Sequence, residues 1–493
     1  MKFDDSTLDR AEGCLLGALI GDAAGGTLEF IGRRPTGAEV AQAMTMCGGG
    51  VFGLAPGQIT DDGELSISLA RALVGAQSYP RERVANHYRA WLQSRPFDIG
   101  NTIQNALSIS IDFGESSADA IQSLAASKNQ TSKSNGALMR STPLGIWSTR
   151  VSEAAAVDSA LVDALLTHPD STCGWASAAY VVAIRHLLLN HGDQRGAFQS
   201  AVDVVDSNSD KGASTVRTWL TEASSGKLPL CYPQPGFVGI AFTHAFYHLL
   251  YARSYEAGLH SVLVEGGDTD TNACIVGGLL GARFGLASIP NHMAAAVENC
   301  DVASGRIRPT WLRASDVLKL CTALVDGRKG LGIAYTTTEL PKKPVHLGLE
   351  ASFPASSRDS IERGFEGLTQ DDKWAVCFQP PLVQIWRRRT TGVYSFAVLL
   401  SSRPDGSIYA RDSWVSKTLI EDWGFSMEEC KKMASFVLGA CAGHSAADES
   451  FSSSRISGQR FNDRVSFSGE AFTDEDVDEI ALLLKQELSR RKR

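Results

Sequence analysis

Thr60-Asp61-Asp62 and, far downstream, Gly266-Gly267-Asp268-Thr269-Asp270-Thr271-Asn272 are the two places where oxygen donors crowd together in this chain. Each offers carboxylate and hydroxyl oxygens with no His or Cys beside them. That donor set suits a hard divalent cation such as magnesium, manganese or calcium, and it argues against zinc. Meeting in space, the two stretches would supply four Asp carboxylates, more negative charge than a buried site holds without a cation. The competing reading makes these residues ordinary helix N-caps. A cap needs one such side chain, and here several stand in a row.

Both clusters immediately precede apolar helical stretches. Leu65, Leu69, Ala72 and Leu73 recur at helical spacing after the first, and 274–287, rich in Gly and Ala, predicts a close-packed helix after the second. Leu15, Leu16, Leu19 and Ile20 also share a helical face, and 176–189 reads as another helix. Loops between them carry Gly, Pro, Ser and Asp, as in Cys47-Gly48-Gly49-Gly50. From residue 8 to about 324 strand-like alternation is nearly absent, which predicts an all-α domain with its site where helix ends and loops converge.

The pattern changes after Gly327. A Thr/Pro/Lys-rich connector without apolar periodicity follows, and short strands are predicted at 374–378, 382–387, 392–400 and 407–410. Helices are predicted at 427–438 and 475–488, and the Ser-rich stretch 445–457 reads as a loop. The expected organisation is a helical domain over 1–330, a linker over 331–344 and a smaller α+β domain over 345–493. A chain of 493 residues is too long for one ordinary core.

Composition narrows the function. With 47 basic against 55 acidic residues the net charge is -8, which gives no sign of a nucleic-acid surface or an anionic membrane partner. Arg490-Arg491-Lys492-Arg493 reads as a solvated helix end. The ten cysteines are scattered without a CxxC, as expected of reduced thiols. Met1-Lys2-Phe3-Asp4-Asp5 is acidic where a signal peptide would be basic, and the apolar run 14–20 is far too short to span a bilayer. A soluble, cytoplasmic protein is the expectation. No Walker sequence, GxSxG elbow or HExxH motif occurs, which sets aside P-loop NTPases, typical serine esterases and zincins.

Several further motifs occur in one order. They are Gly13-Cys14-Leu15-Leu16-Gly17 through Gly21-Asp22-Ala23 to Glu29, then Thr60-Asp61-Asp62-Gly63-Glu64, then Pro96-Phe97-Asp98-Ile99-Gly100-Asn101-Thr102. Ser134-Asn135-Gly136-Ala137-Leu138-Met139-Arg140, His168-Pro169-Asp170, Gly236-Phe237-Val238 and the 266–272 run follow. In this order the first two thirds of the chain resembles the ADP-ribosylglycohydrolase family, which includes dinitrogenase-reductase-activating glycohydrolases and ADP-ribosyl-serine and -arginine hydrolases. The resemblance ends near residue 330.

The resemblance implies an all-α fold around two Mg2+ or Mn2+ ions, with Thr60, Asp61 and Asp62 ligating from one side and Asp268, Asp270 and Thr271 from the other. It implies an acid at Glu29 beside the metals, substrate contacts from Asp98 and His168, and an aromatic at Phe237 stacking on adenine. Read from its own residues, Ser134-Asn135-Gly136 offers small side chains and backbone N–H groups suited to a diphosphate, although the tripeptide alone would mean only a turn. The activity implied is hydrolysis of the glycosidic bond between ADP-ribose and a modified protein or other acceptor, with Glu29 or Asp62 taking the proton from water. A catalytically inactive ADP-ribose-binding relative, or a hydrolase of another small glycoside, is the rival, and the presence of Glu29 with every proposed ligand argues against the first.

Overall fold

The computed structural model describes residues 5–109, 116–327 and 344–353, with further strands and short stretches between 365 and 435. The chain divides into two compact units, Met1–Ile333 and Ala334–Arg493.

The described residues of the first unit are helical, apart from turns, loops and two isolated bridges, Gly49 with Leu54 and Ser134 with Phe237. In chain order the helices are α1 (Asp5–Gly25), α2 (Gly37–Ala43), α3 (Asp61–Leu73), α4 (Arg81–Gln93), α5 (Asn101–Leu107) and α6 (Ser117–Lys128). Then come α7 (Thr142–Trp147), α8 (Glu153–Leu165), α9 (Ser171–Leu189), α10 (Gln194–Asp206) and α11 (Lys211–Ser224). The last are α12 (Val238–Tyr251), α13 (Tyr255–Glu265), α14 (Thr269–Phe284), α15 (Asn291–Glu298) and α16 (Val317–Asp326). Local sequence sets many starts. Thr36 and Glu39 form a reciprocal capping box on α2, and Ser116, Ser152, Asp193, Asp210 and Ser254 accept first-turn N–H groups of α6, α8, α10, α11 and α13.

The seam between α1 and α14 organises the bundle. Gly13, Gly17, Gly21 and Gly25 recur every fourth residue and so line one face of α1. A methyl added at Gly21 would lie 2.0 Å from Ala273 O, one at Gly25 2.2 Å from Thr269 O, and one at Gly17 2.7 Å from Gly277 O. Gly281 returns the fit, with its missing side chain 1.9 Å from Gly13 O. Backbone therefore lies on backbone along the whole seam. Tyr255 Oη donates to Gly17 O at 2.7 Å and Tyr180 Oη to Ile275 O at 2.9 Å, so each helix is also pinned from outside. By length and composition α9 could cross a membrane, but 83% of its apolar window is buried among its neighbours, as in a core helix.

Two helices begin earlier than their apolar patterns suggest. The 176–189 pattern belongs to α9, which starts at Ser171 because Asp170 accepts Thr172 N–H at 2.9 Å. The 274–287 pattern belongs to α14, which starts at Thr269, and this puts Asp270 and Thr271 inside its first turn.

In the second unit the described strands are β1 (Pro344–His346), β2 (Ser352–Phe353), β3 (Phe365–Glu366), β4 (Trp374–Gln379), β5 (Leu382–Arg387), β6 (Tyr394–Ser402) and β7 (Ile408–Ser416). They pair antiparallel in the order β1-β7-β6-β5-β4-β3, with β2 also on β7. The strand expected at 407–410 runs on to Ser416, because Arg411 and Asp412 lie outward while Trp414 and Val415 are buried. Of the helix expected at 427–438, the described residues 427, 428, 430, 431, 434 and 435 are helical. The expected linker (but for Pro344), the Ser-rich loop and the helix at 475–488 lie outside the described residues.

If the glycine seam sets the helix spacing, Gly21→Ala should destabilise the first unit by about 2 kcal/mol, because the methyl meets backbone that cannot rotate away. Gly37→Ala, with no atom within 4 Å of the added methyl, should change stability little. Urea denaturation of the two variants against the parent measures both, and equal stabilities would contradict the seam.

Candidate active site

α1 supplies the acids that start two other helices. Asp22 is fully buried and accepts from Thr60 N at 2.9 Å, Thr60 Oγ1 at 2.6 Å and Gly63 N at 2.8 Å, so it caps α3. Glu29 follows a short 3₁₀ turn after α1 and caps α14. Its Oε1 accepts from Thr269 N, from Thr269 Oγ1 at 2.7 Å and from Asp270 N at 3.3 Å. The N-termini of α3 and α14 thus point at one spot, where their positive ends favour anionic side chains.

That spot collects seven carboxylates in three overlapping groups, each with oxygens within 4.8 Å of one another: Asp22, Asp62 and Asp270; Glu29, Asp268 and Asp270; Asp61, Asp98 and Asp270. The two oxygen-rich clusters of the sequence do meet. Thr271 Oγ1 reaches Asp62 Oδ2 at 3.3 Å, and Thr60 Oγ1 lies 3.4 Å from Asp270 Oδ2, so each cluster's hydroxyl touches the other's carboxylate. Asp98, in the loop before α5, hydrogen-bonds with Asp61.

Charge is the unusual feature here. Among the described residues no Lys or Arg forms an ion pair with any of the seven. Glu64, one turn into α3, shows the contrast: Arg308 binds it through two 2.7 Å hydrogen bonds and Trp91 Nε1 adds a third at 2.8 Å. Without such partners burial dominates. It pushes Asp22 up to about 7, Glu29 up to about 7 with help from the Asp268 carboxylate, and Asp98 up to about 6, again with Asp268 adding to it. Asp61, Asp62 and Asp270 are driven well above the carboxylate range, first by burial and then by a neighbouring carboxylate, Asp98 for Asp61, Asp61 for Asp62 and Glu29 for Asp270. Asp62 Oδ1 is buried with no hydrogen-bond partner. An orphaned buried oxygen inside an all-oxygen donor set fits a hard divalent cation.

The Ser134–Gly136 loop adjoins this cluster. Asn135 Nδ2 donates to Asp268 Oδ2 at 2.7 Å, and Asn135 N–H donates to Gly236 O at 3.1 Å, which ties the loop to both α14 and the start of α12. His168 lies beneath the loop, 1% exposed, with Nε2 2.8 Å from Ser134 Oγ and Nδ1 2.8 Å from Thr167 Oγ1. Burial, then Arg140, lowers its pKa to about 3, so the ring is neutral. Arg140 donates to Thr167 Oγ1 at 2.9 Å, to Gly136 O at 3.2 Å and to the buried Asp163 at 3.0 Å. In this structure His168 therefore supports Ser134 from below. Phe237, partly buried, packs edge-on against Trp219 with centroids 5.5 Å apart.

Asp22 carries no sequence-based assignment, although it stands in the Gly21-Asp22-Ala23 motif. An acid that interrupts the apolar face of a helix seven residues before Glu29 is the signal that could have found it. Thr269, whose N–H and hydroxyl hold Glu29, likewise carries no sequence-based role.

The geometry defines a helical protein with an acidic centre at converging helix N-termini whose oxygens could hold a cation. Comparison with known proteins is specific: residues 4–329 match the family description ADP-ribosylglycohydrolase, and the chain belongs to that family. It is 30% identical over 336 residues to the putative ADP-ribosyl glycohydrolase L543 of Acanthamoeba polyphaga mimivirus, covering 62% of this chain and 98% of that one. The ADP-ribosyl-[dinitrogen reductase] glycohydrolase of Rhodospirillum rubrum is 27% identical over 286 residues, 58% of this chain and 89% of that one. The ADP-ribosylarginine hydrolase Tri1 of Serratia proteamaculans (strain 568) is 28% identical over 298 residues, 58% and 75% of the two chains. A solved ADP-ribosylglycohydrolase-related protein complex shares the fold, with a TM-score of 0.52 at 22% identity over 66% of this chain and 99% of that one.

The pKa directions give a pH dependence. In the unfolded chain these carboxyls ionise near pH 4, whereas folded Asp98 holds its proton to about 6 and Asp22 and Glu29 to about 7. Between those values the folded state keeps protons that the unfolded state has released. This stabilisation is complete at low pH and is lost as pH rises through the folded values. Chelator-treated protein should therefore melt at progressively lower temperature between pH 5 and 7.5, and excess magnesium should remove most of that fall. Calorimetry across this range checks it; a melting temperature that rises over the same interval would contradict the reading.

Proposed function

We propose that this chain hydrolyses the glycosidic bond between ADP-ribose and a modified acceptor, using two Mg2+ or Mn2+ ions. The convergence of seven carboxylates without a described cationic partner, in a member of this family, is the observation that carries it. Two of the relatives are named for ADP-ribosylated dinitrogen reductase and for ADP-ribosylarginine, and an ADP-ribosylated protein is the acceptor we assign to this chain.

Thr60, Asp61, Asp62, Asp268, Asp270 and Thr271 would hold the cations, and Asp22 would set the start of α3 beneath them. When bound, such cations supply Lewis acidity beside the sugar. Glu29 is our choice over Asp62 for the proton of the attacking water. Three donors converge on its Oε1, which fixes the carboxylate beside the cluster. Asp62 is buried deeper and bears the orphaned oxygen, which suits a ligand. The carboxylates around the sugar favour an oxocarbenium-like transition state. Ser134, Asn135 and Gly136 would face the diphosphate, Asp98 the ribose side and Phe237 the adenine, with His168 holding Ser134 in place. Residues 345–493 are read as an α+β domain, joined through 331–344, that recruits the acceptor; the cytoplasm is the proposed compartment.

The test is a panel of arginine-, serine- and nucleic-acid-linked ADP-ribose with and without magnesium, run on the parent and on Glu29→Gln. The parent should release ADP-ribose only with metal. The variant should lose about a hundredfold or more in kcat while its ADP-ribose affinity changes far less, because the amide keeps the shape and cannot accept a proton. Release without metal would overturn the metal assignment, and parallel loss of affinity and rate would make Glu29 a positioning residue.

A further inference from the structure

Beneath the Ser134–Gly136 loop runs a line of hydrogen bonds that begins at a buried guanidinium and ends near the surface. Arg140, Thr167 and His168 are buried, whereas Ser134, Thr102 and Ser132 are half-buried. Asp163 fixes Arg140, accepting from Nε at Oδ2 (3.0 Å) and from Nη2 at its backbone O (2.9 Å), and the guanidinium lies 4.6 Å from the centre of the Tyr88 ring. Arg140 Nη1 donates to Thr167 Oγ1 at 2.9 Å. Thr167 Oγ1 lies 2.8 Å from His168 Nδ1, and His168 Nε2 lies 2.8 Å from Ser134 Oγ. Ser134 Oγ is 3.0 Å from Thr102 Oγ1, which is 2.8 Å from Ser132 Oγ.

Every bond in the line needs one donor and one acceptor, and its buried end admits no choice. A guanidinium only donates, so Thr167 Oγ1 accepts from Arg140. The Thr167 hydroxyl then has one proton to give and, among the described residues, one remaining partner, His168 Nδ1. A proton on Nδ1 would leave that hydroxyl proton buried without an acceptor, which favours the other tautomer by about tenfold or more. Burial, then Arg140, holds the imidazole neutral, so the ring carries a single proton, on Nε2. Nε2–H donates to Ser134 Oγ, and the Ser134 proton must leave in the other direction, toward Thr102 or a ligand. The 2.8 Å contact has the length of a nucleophile–base pair, but the imidazole gives a proton here and takes none, so Ser134 is not activated for attack. The opposite tautomer would draw the Ser134 proton down onto Nε2 and turn only lone pairs to a ligand, which phosphate oxygens would not tolerate.

We infer that Arg140 and Thr167 are positioning residues that set the His168 tautomer and thereby make Ser134 a hydrogen-bond donor to an anionic ligand. This rests on the reading above, in which the Ser134–Gly136 loop faces the diphosphate of ADP-ribose. Neither residue touches the ligand; both act through the imidazole.

The experiment uses the full chain with magnesium, its histidines labelled with nitrogen-15, and reads ring protonation from long-range proton–nitrogen correlation spectra at neutral pH. The His168→Gln spectrum assigns the His168 signals. The parent should show a protonated Nε2 and an unprotonated Nδ1. Thr167→Val keeps the shape but removes the hydroxyl and should let the Nδ1–H form appear, while Thr167→Ser should restore the parent pattern. Measured by calorimetry, ADP-ribose affinity should fall about tenfold in Thr167→Val and in Ser134→Ala. The double variant should bind no more weakly than Ser134→Ala alone, because both changes act at one hydrogen bond. A proton on Nδ1 in the parent, an unchanged affinity in Thr167→Val, or losses that add in the double variant would overturn the inference and leave the glycohydrolase reading intact. The parent spectrum decides the tautomer even if Thr167→Val does not fold. A parent with its proton on Nε2 that fails to bind ADP-ribose overturns that reading, and the ligand half of this inference with it.

Discussion

Close approach of α1 to α14 is the constraint on which the site depends. Four glycines on α1 remove every side chain that could separate the two backbones, and Gly277 and Gly281 do the same from the other side. At ordinary helix spacing Glu29 would not reach the first N–H groups of α14. At this spacing it holds three donors, two of them backbone. The same helix carries Asp22 to the start of α3. One glycine-lined helix therefore sets the directions of both helix N-termini that face the cluster.

The arrangement concentrates charge that the surrounding protein does not neutralise. Two other buried acids of this unit are paired: Glu64 has Arg308, and Asp163 has Arg140 with the hydroxyls of Tyr79 and Tyr88. Leaving a buried charge unpaired costs several kcal/mol or more, so an unpaired set of acids is retained where a cation completes it. Helix N-termini offset part of this charge, and Asp22 and Glu29 use them. Asp62, with an oxygen lacking any partner, and Asp61 and Asp270, each surrounded by other carboxylates, carry the remainder.

Much of the candidate site was legible because its residue types are improbable where they stand. Consecutive acids ahead of apolar helices exceed what capping requires, so Asp61, Asp62, Asp268 and Asp270 could be picked out before any geometry was known. The two missed features have physical causes. Asp22 sits inside an apolar helix as a lone acid, and only its distant partners at Thr60 and Gly63 give it a role. The start of α14 was hidden because residues 269–272 are polar; Glu29, 240 residues earlier, accepts the N–H groups that let the helix begin there. Apolar periodicity reads a helix only from where it becomes apolar. In the second unit the short apolar runs of β4 and β5, rich in aromatic and β-branched residues, marked them clearly, while Arg411 and Asp412 disguised the length of β7.

The claim that the acidic cluster is a two-metal centre is tested most directly by counting manganese. Chelator-stripped protein titrated with Mn2+ and followed by electron paramagnetic resonance should bind two ions per chain with the spectrum of a magnetically coupled pair, and Asp270→Ala, which removes the one residue common to all three carboxylate groups, should abolish that coupling. Uncoupled, weakly bound manganese in the parent, or a coupled pair that survives Asp270→Ala, would contradict the account.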